Sequence, residues 1–434
     1  MTAFVIYSLI LLWINFLLPA LPTRLIATYA ELLVGALIAD SGHITAALFA
    51  VGHQKHFSTY YWLIEYGQWS WLRVARRLIA LIAKYFPRME WNLVIDDFVC
   101  PRSSKHAPGA KFHHEHSHKP NRPKYVWGQQ WVALGVSLTW GKMSVCLPII
   151  FRLHKYVGNR TKLTTGVALV RAILSSLKNT GEEKIRCLVD SWYMKAPFIL
   201  PLIKRGVHVI GQVRHDTALF NKPPAASKRK RGAPKKYGQK LTTARVKKLQ
   251  ARKVKLNIYG KLQEVSYRST ECVARFLRGL PVIAVWVKLP DKKDWVLILS
   301  TDLSLTPEQI IKLYARRWKI EPMFNEIKHS YGVMQAWEQT IASVERWVSI
   351  LCISYTLTRM LSVIAASTKN RCHLPIIAWR VNKPATAGLI RLGLRFYFRH
   401  FSFSQLWNPK SKKFEPPKEH KQARKQKKPA ILNA

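Results

Sequence analysis

The chain has 434 residues, about half of them hydrophobic, with 70 Lys and Arg against 23 Asp and Glu, a formal net charge of +47. That length can bury a large core and predicts two or three domains, which excludes a small disulfide scaffold or a disordered polyelectrolyte. The charge is far beyond the needs of solubility and points to a polyanion as partner, with nucleic acid the natural one and anionic lipid the competitor.

The N-terminal stretch is read as helical. The first 23 residues carry no charged side chain, and Phe4 to Leu18 is apolar except for Ser8 and Asn15. It is short for a transmembrane span and ends at Pro19 and Pro22; without a basic flank it fits a signal peptide poorly. We read it as a buried helix, with no stable membrane partner expected. Leu32–Ile38, Ile44–Val51 and Leu72–Tyr85 continue as helices. The Gly52-His53 break leaves two readings open: a helix-turn-helix DNA reader or a packed bundle. The expected division is a helical N-terminal domain, the DNA-binding candidate, over 1–88.

From Trp91 the pattern changes. Trp91-Asn92-Leu93-Val94-Ile95 is a buried-strand run that ends in Asp96-Asp97, and strand ends in α/β sheets are where sites are built. Residues 101–123, with His106, His113, His114, His116 and His118, read as a flexible basic loop. Two β segments flank Gly141-Lys142, as in a hairpin. Thr164–Leu177 is an amphipathic helix, Lys184–Asp190 a second buried strand ending in an acid, Lys195–Lys204 a helix, and Val207–Val213 a strand. Strand, hairpin, helix, strand, helix, strand is the layout of an RNase H-like α/β domain.

Lys228-Arg229-Lys230-Arg231 and Lys235-Lys236 form an exposed, phosphate-seeking run. Segments between 253 and 301 read as β. Thr306-Pro307-Glu308-Gln309 opens a long helix with a capping box and Pro at the first helical position. At ~100° per residue, Tyr314, Arg317, Glu321 and Lys328 share one face within a ~60° arc. Pro322 predicts a kink at Glu321. A hydrophobic helix over Ser343–Ala366 and a basic tail over 409–429 follow. The six cysteines are scattered with no CxxC pair, as in a reduced cytoplasmic protein.

The spacing Tyr314, Arg317, Glu321, Lys328 resembles the YREK signature of a branch of DDE transposases from bacterial insertion sequences, and the resemblance spans roughly residues 91 to 332. It implies an RNase H-like catalytic domain in two parts, 89–222 and 305–405, around a basic, β-rich insertion over 223–304, with a basic tail over 406–434. It also implies a catalytic and metal-binding triad of Asp97, Asp190 and Glu321. The first acid is open by one position. In the family the acid is followed by Thr or a similar residue, which favours Asp97 over Asp96, although Phe98 stands in that place. Tyr314, Arg317 and Lys328, with the basic run, would hold DNA. Three converging carboxylates repel each other unless divalent cations neutralise them. Oxygen ligands suit Mg²⁺, here two ions, with Mn²⁺ able to substitute. The implied activity is cleavage and strand transfer on transposon ends and target DNA by a homodimer, in the bacterial cytoplasm at the nucleoid. The alternatives are an RNase H-like nuclease that does not join, and a non-enzymatic DNA-binding or membrane-associated protein.

Overall fold

The computed structural model describes residues 3–87, 90–114, 123–141, 143–155, 161–179, 184–223, 235–367, 385–398 and 403–416. The cations Lys228, Arg229, Lys230 and Arg231, His116 and His118, and the tail beyond 416 lie outside them.

Five helices come first: α1 (Ala3–Leu17), α2 (Ile26–Ile38), α3 (Ile44–Val51), α4 (Phe57–Glu65) and α5 (Trp71–Tyr85). A helix that is apolar all round seeks burial, and α1 is buried over most of its surface: Ile6, Ile10, Trp13, Ile14 and Leu17 have no exposed surface, while Val5 and Leu12 face outward. In α5 the stripe Val74, Leu78, Ile79 and Ile82 faces inward. Its arginines tie the helix to its neighbours. Arg77 donates to the Phe16 carbonyl at 2.8 and 3.0 Å and stacks on the Phe16 ring, and Arg76 donates to the Ala172 carbonyl.

The sheet begins with β1 (Glu90–Pro101), β2 (Ala110–His114), β3 (Tyr125–Trp140) and β4 (Met143–Leu153), followed by α6 (Lys162–Lys178), β5 (Lys184–Val189), α7 (Ala196–Ile203), β6 (Val207–Val213) and β7 (Leu219–Phe220). Then come α8 (Thr243–Lys248), β8 (Arg252–Ile258), β9 (Lys261–Ala274), β10 (Pro281–Lys288) and β11 (Val296–Ser300). The chain continues with α9 (Pro307–Arg317), α10 (Ile320–His329), α11 (Ile341–Ser367), α12 (Ala387–Phe398) and a small ribbon of β12 (Trp407–Asn408) and β13 (Lys413–Phe414).

β4 and β3 form a hairpin beside β1, β1 runs parallel to β5, and β5 runs parallel to β6. The order β4-β3-β1-β5-β6, with α6 and α7 as crossovers, is the RNase H-like fold, here as a mixed α/β sheet behind an N-terminal helical region. The strands expected between 253 and 301 do not stand apart from it. β11 pairs antiparallel with β6, and β10 and β9 extend the same sheet.

Three local expectations are corrected. β1 does not stop at the acids; it continues to Pro101 because Asp96 to Pro101 pair along β3. Part of the supposed flexible loop is an edge strand, β2, paired with β3. The long helix after Thr306 is two helices, and its break lies at Trp318 and Lys319, just before the predicted kink. Pro322 sits in the first turn of α10, where the missing N–H has no intrahelical partner to lose.

α11 is the one helix among the described residues long and apolar enough to cross a membrane by composition, and it is mostly buried inside the protein. It packs on β4 and α2 and so joins the helical region to the sheet. A second junction lies near the end of α10. Gly332, at φ +68°, meets Gly42 so closely that a Cβ on either would overlap the other's backbone. Trp347 Nε1 donates to the Gly42 carbonyl at 2.7 Å, and the Gly42 N–H donates to Gln335.

Candidate active site

Asp96 lies within β1, and Asp190 directly follows β5. The parallel register pairs Ile95 with Val189 as its last step, so Asp96 and Asp190 are the next positions on neighbouring strands. Consecutive strand residues point to opposite faces. Asp96 therefore faces α9, and Asp97 faces α6.

The contacts follow that division. On the α9 side, Arg317 Nη1 donates to Asp96 Oδ2 at 2.9 Å and Nη2 to Glu321 Oε1 at 3.3 Å. One guanidinium thus bridges an acid of the strand and the acid of α10. Asp190 Oδ1 accepts the backbone N–H groups of Trp192 and Tyr193 at 3.1 and 3.2 Å. On the α6 side, Asp97 accepts Lys162 Nζ at 2.9 and 3.1 Å, Gln130 Nε2 at 2.8 Å and the Tyr193 hydroxyl at 3.2 Å.

Electrostatics separate the acids further. Burial raises the Asp96 carboxyl to about 7, with the charge of Asp190 adding to the effect and Arg317 opposing it. Burial also raises Asp190 and Glu321, against the pull of Arg317. Among Asp96, Asp190 and Glu321, a single guanidinium cannot neutralise three carboxylates, and the negative charge in excess is what a divalent cation would relieve. The donors are oxygens only, the set that hard cations such as Mg²⁺ take. The side chains as they stand do not close a chelate: among the described residues no group of three His, Cys, Asp or Glu is placed to hold a metal.

A cleft of about 830 Å³ opens here, lined among others by Asp96, Asp97, Lys162, Glu321 and Lys328. Lys328 Nζ lies 4.7 Å from the centre of the Phe98 ring, and Phe98 packs at a tilt against Phe324. The Tyr314 hydroxyl donates to Gln212 at 3.1 Å, and the Arg317 guanidinium lies 5.8 Å from the centre of its ring. Lys235 and Lys236 are exposed and far along the chain from these groups.

Sequence reading missed Lys162, Gln130 and Tyr193 as partners of the acids. Lys162 had a faint signal, since it is the first residue after the Thr161 N-cap and so projects from a helix end. Tyr193 follows Asp190 in Asp-Ser-Trp-Tyr, a spacing that becomes meaningful only once Asp190 folds the turn over itself.

No curated protein matches the chain. The family model described as DDE superfamily endonuclease matches residues 18–271, more than half of the sequence. The match takes in the N-terminal helices from α2 onward, both strand acids and much of the extended sheet, and stops short of Arg317 and Glu321. With an RNase H-like sheet carrying acids within β1 and directly after β5, the chain belongs to the DDE superfamily endonucleases.

Proposed function

We propose that this endonuclease is a transposase of the YREK branch, which cuts DNA at transposon ends and joins them to a target. The observation that carries the reading is Arg317 bridging Asp96 and Glu321 beside Asp190. Acids from β1, from the turn after β5 and from α10 lie near Arg317, in a strongly cationic protein, which supports this reading. The resemblance favoured Asp97 as the first acid. The strand geometry favours Asp96, because it shares a face with Asp190 while Asp97 is held by four hydrogen bonds from three side chains, Lys162, Gln130 and Tyr193. We therefore take Asp96, Asp190 and Glu321 as the metal-binding set and keep Asp97 as the rival first acid.

Two Mg²⁺ ions, or Mn²⁺, in such a site would activate water or a 3′-hydroxyl and stabilise the leaving oxygen. The chain's own part is to hold the strand in place. Arg317 can pass from the carboxylates to a phosphate through its planar fork, and Lys328 offers a point charge at the cleft wall. Tyr314 needs to release Gln212 before it can reach a phosphate. Lys228 to Arg231, Lys235 and Lys236 supply phosphate contacts farther out. The division into residues 1–88, 89–222, 223–304, 305–405 and 406–434, a homodimer on DNA, and a cytoplasmic, nucleoid-associated location go with this reading.

The test is Mg²⁺-dependent cleavage and joining of DNA carrying the element's ends. Asp96→Asn, Asp190→Asn and Glu321→Gln should each abolish both steps and leave DNA binding intact. Activity retained in Asp96→Asn but lost in Asp97→Asn would move the first acid. Cleavage without any joined product would leave a nuclease in place of a transposase.

A further inference from the structure

Two residues beyond Asp190, Trp192 stands on the rim of the cleft with 36 % of its surface exposed. Its ring carries two ammonium groups: Lys162 Nζ lies 4.0 Å and Lys195 Nζ 4.5 Å from the centroid. Lys162 belongs to the cleft. Lys195 lines a neighbouring cavity of about 430 Å³, together with Arg214 and Arg275. The charge of Arg214 is met by Asp216 at 3.0 Å. Arg275 is exposed and extends over the Phe220 and Tyr237 rings at 5.3 and 6.0 Å. Tyr237 and the exposed Lys236 pack beside Gly279, at the end of the basic run.

From the cleft outward, aromatic faces are set among cations: Lys162, Trp192, Lys195, then Arg275, Tyr237, Lys236. Nothing in a folded core needs this pattern. It matches a nucleic-acid strand, whose phosphates recur along one edge and whose bases offer flat faces along the other. In a duplex those faces are stacked on each other and closed to a side chain, so a ring used in this way selects unpaired bases.

We propose that this path is the binding track for an unpaired strand of the DNA substrate, running from the cleft across Trp192 to the 235–240 segment. The inference rests on the cleft being the site that cuts DNA. Its turn is set by Asp190, whose carboxylate accepts the N–H of Trp192, so a strand on the track is held in register with the acids.

Binding is measured on the full chain in EDTA by fluorescence anisotropy, with a blunt duplex and with the same duplex carrying a single-stranded flank. Trp192→Ala should weaken the flanked substrate about ten-fold and the blunt one less than two-fold. Trp192→Phe, which keeps a stacking face, should stay within about three-fold of wild type on both. Lys195→Gln with Arg275→Gln should reduce the slope of log K against log salt by ~1.4 for the flanked substrate, ~0.7 for each lost phosphate contact on a single strand. Equal losses on both substrates, or an unchanged salt slope in the double variant, would overturn the track. Cleavage is not needed for these measurements, so failure of the nuclease reading shows separately, as activity that survives Asp190→Asn.

Discussion

Two arginines hold two carboxylates each on this sheet, one at the start of β1 and one at its middle. At the start of β1, Arg186 pairs with Glu90 and donates from Nε to Asp302 at 2.7 Å. Six residues on, Arg317 bridges Asp96 and Glu321. The chemistry is the same and the electrostatic outcome is opposite. Asp302 also accepts the Ser304 N–H and hydroxyl, and its carboxyl is pulled down to about 2 despite burial; Glu90 is lowered as well. Around Arg317 the carboxyls are raised, chiefly by burial, with the charge of Asp190 adding to it at Asp96 and Arg317 opposing it. A saturated ion pair is a structural joint. An unsaturated one leaves negative charge in excess, which supports the proposed functional site.

The largest effect expected from breaking this contrast is on chemistry. Asp190→Asn or Glu321→Gln should lower the cleavage rate by more than the ~10–100-fold typical of an outer partner of a metal site. Arg186→Met should leave the cleavage chemistry intact in the folded fraction. Single-turnover cleavage at saturating protein measures both. The second effect is on stability: Arg186→Met strands a buried Asp302 and should cost about 3–5 kcal/mol in urea unfolding. The smaller exposure of Asp302 compared with Glu321 makes this the more damaging end to break.

Divalent ions sharpen the comparison. Mg²⁺ at ~100 times its Kd should stabilise the wild type by about 2.7 kcal/mol. The gain should vanish in Asp190→Asn and persist in Asp302→Asn, read as the melting temperature with and without chelator.

The smallest effect is the pH dependence, measured without divalent ions. The depressed Asp302 carboxyl contributes stability that is present above its unfolded pKa, near 4, and lost as pH falls toward 2. The raised Asp96 carboxyl works the other way: it favours the protonated folded state, so stability declines as pH rises from near 4 through about 7. Asp302→Asn should flatten the acid limb of a stability–pH curve, and Asp96→Asn the neutral one. Denaturant midpoints across pH 2–8 read both.

Local pattern in the sequence was enough for the parts that depend on near neighbours. The apolar run from Phe4 had to be buried, the capping box at Thr306 had to start a helix, and Gly141 had to turn a hairpin. The order of strands and helices after Trp91 already implied the RNase H-like sheet, and the rarity of acids in so basic a chain singled out Asp96, Asp97, Asp190 and Glu321. Choosing between Asp96 and Asp97 was beyond it, because adjacent strand residues differ only in the face they present, and the face is set by what packs there. Tertiary structure put Arg317 on one side of β1 and Lys162 on the other. It carried β1 on to Pro101 through pairing with β3, and joined β11 to β6, since pairing between strands distant in sequence leaves no local periodicity to read. It also placed Trp192 against two lysines. The charge of this protein is written in its composition, but which charges meet, and which remain in excess, is decided only when the sheet and its helices close around them.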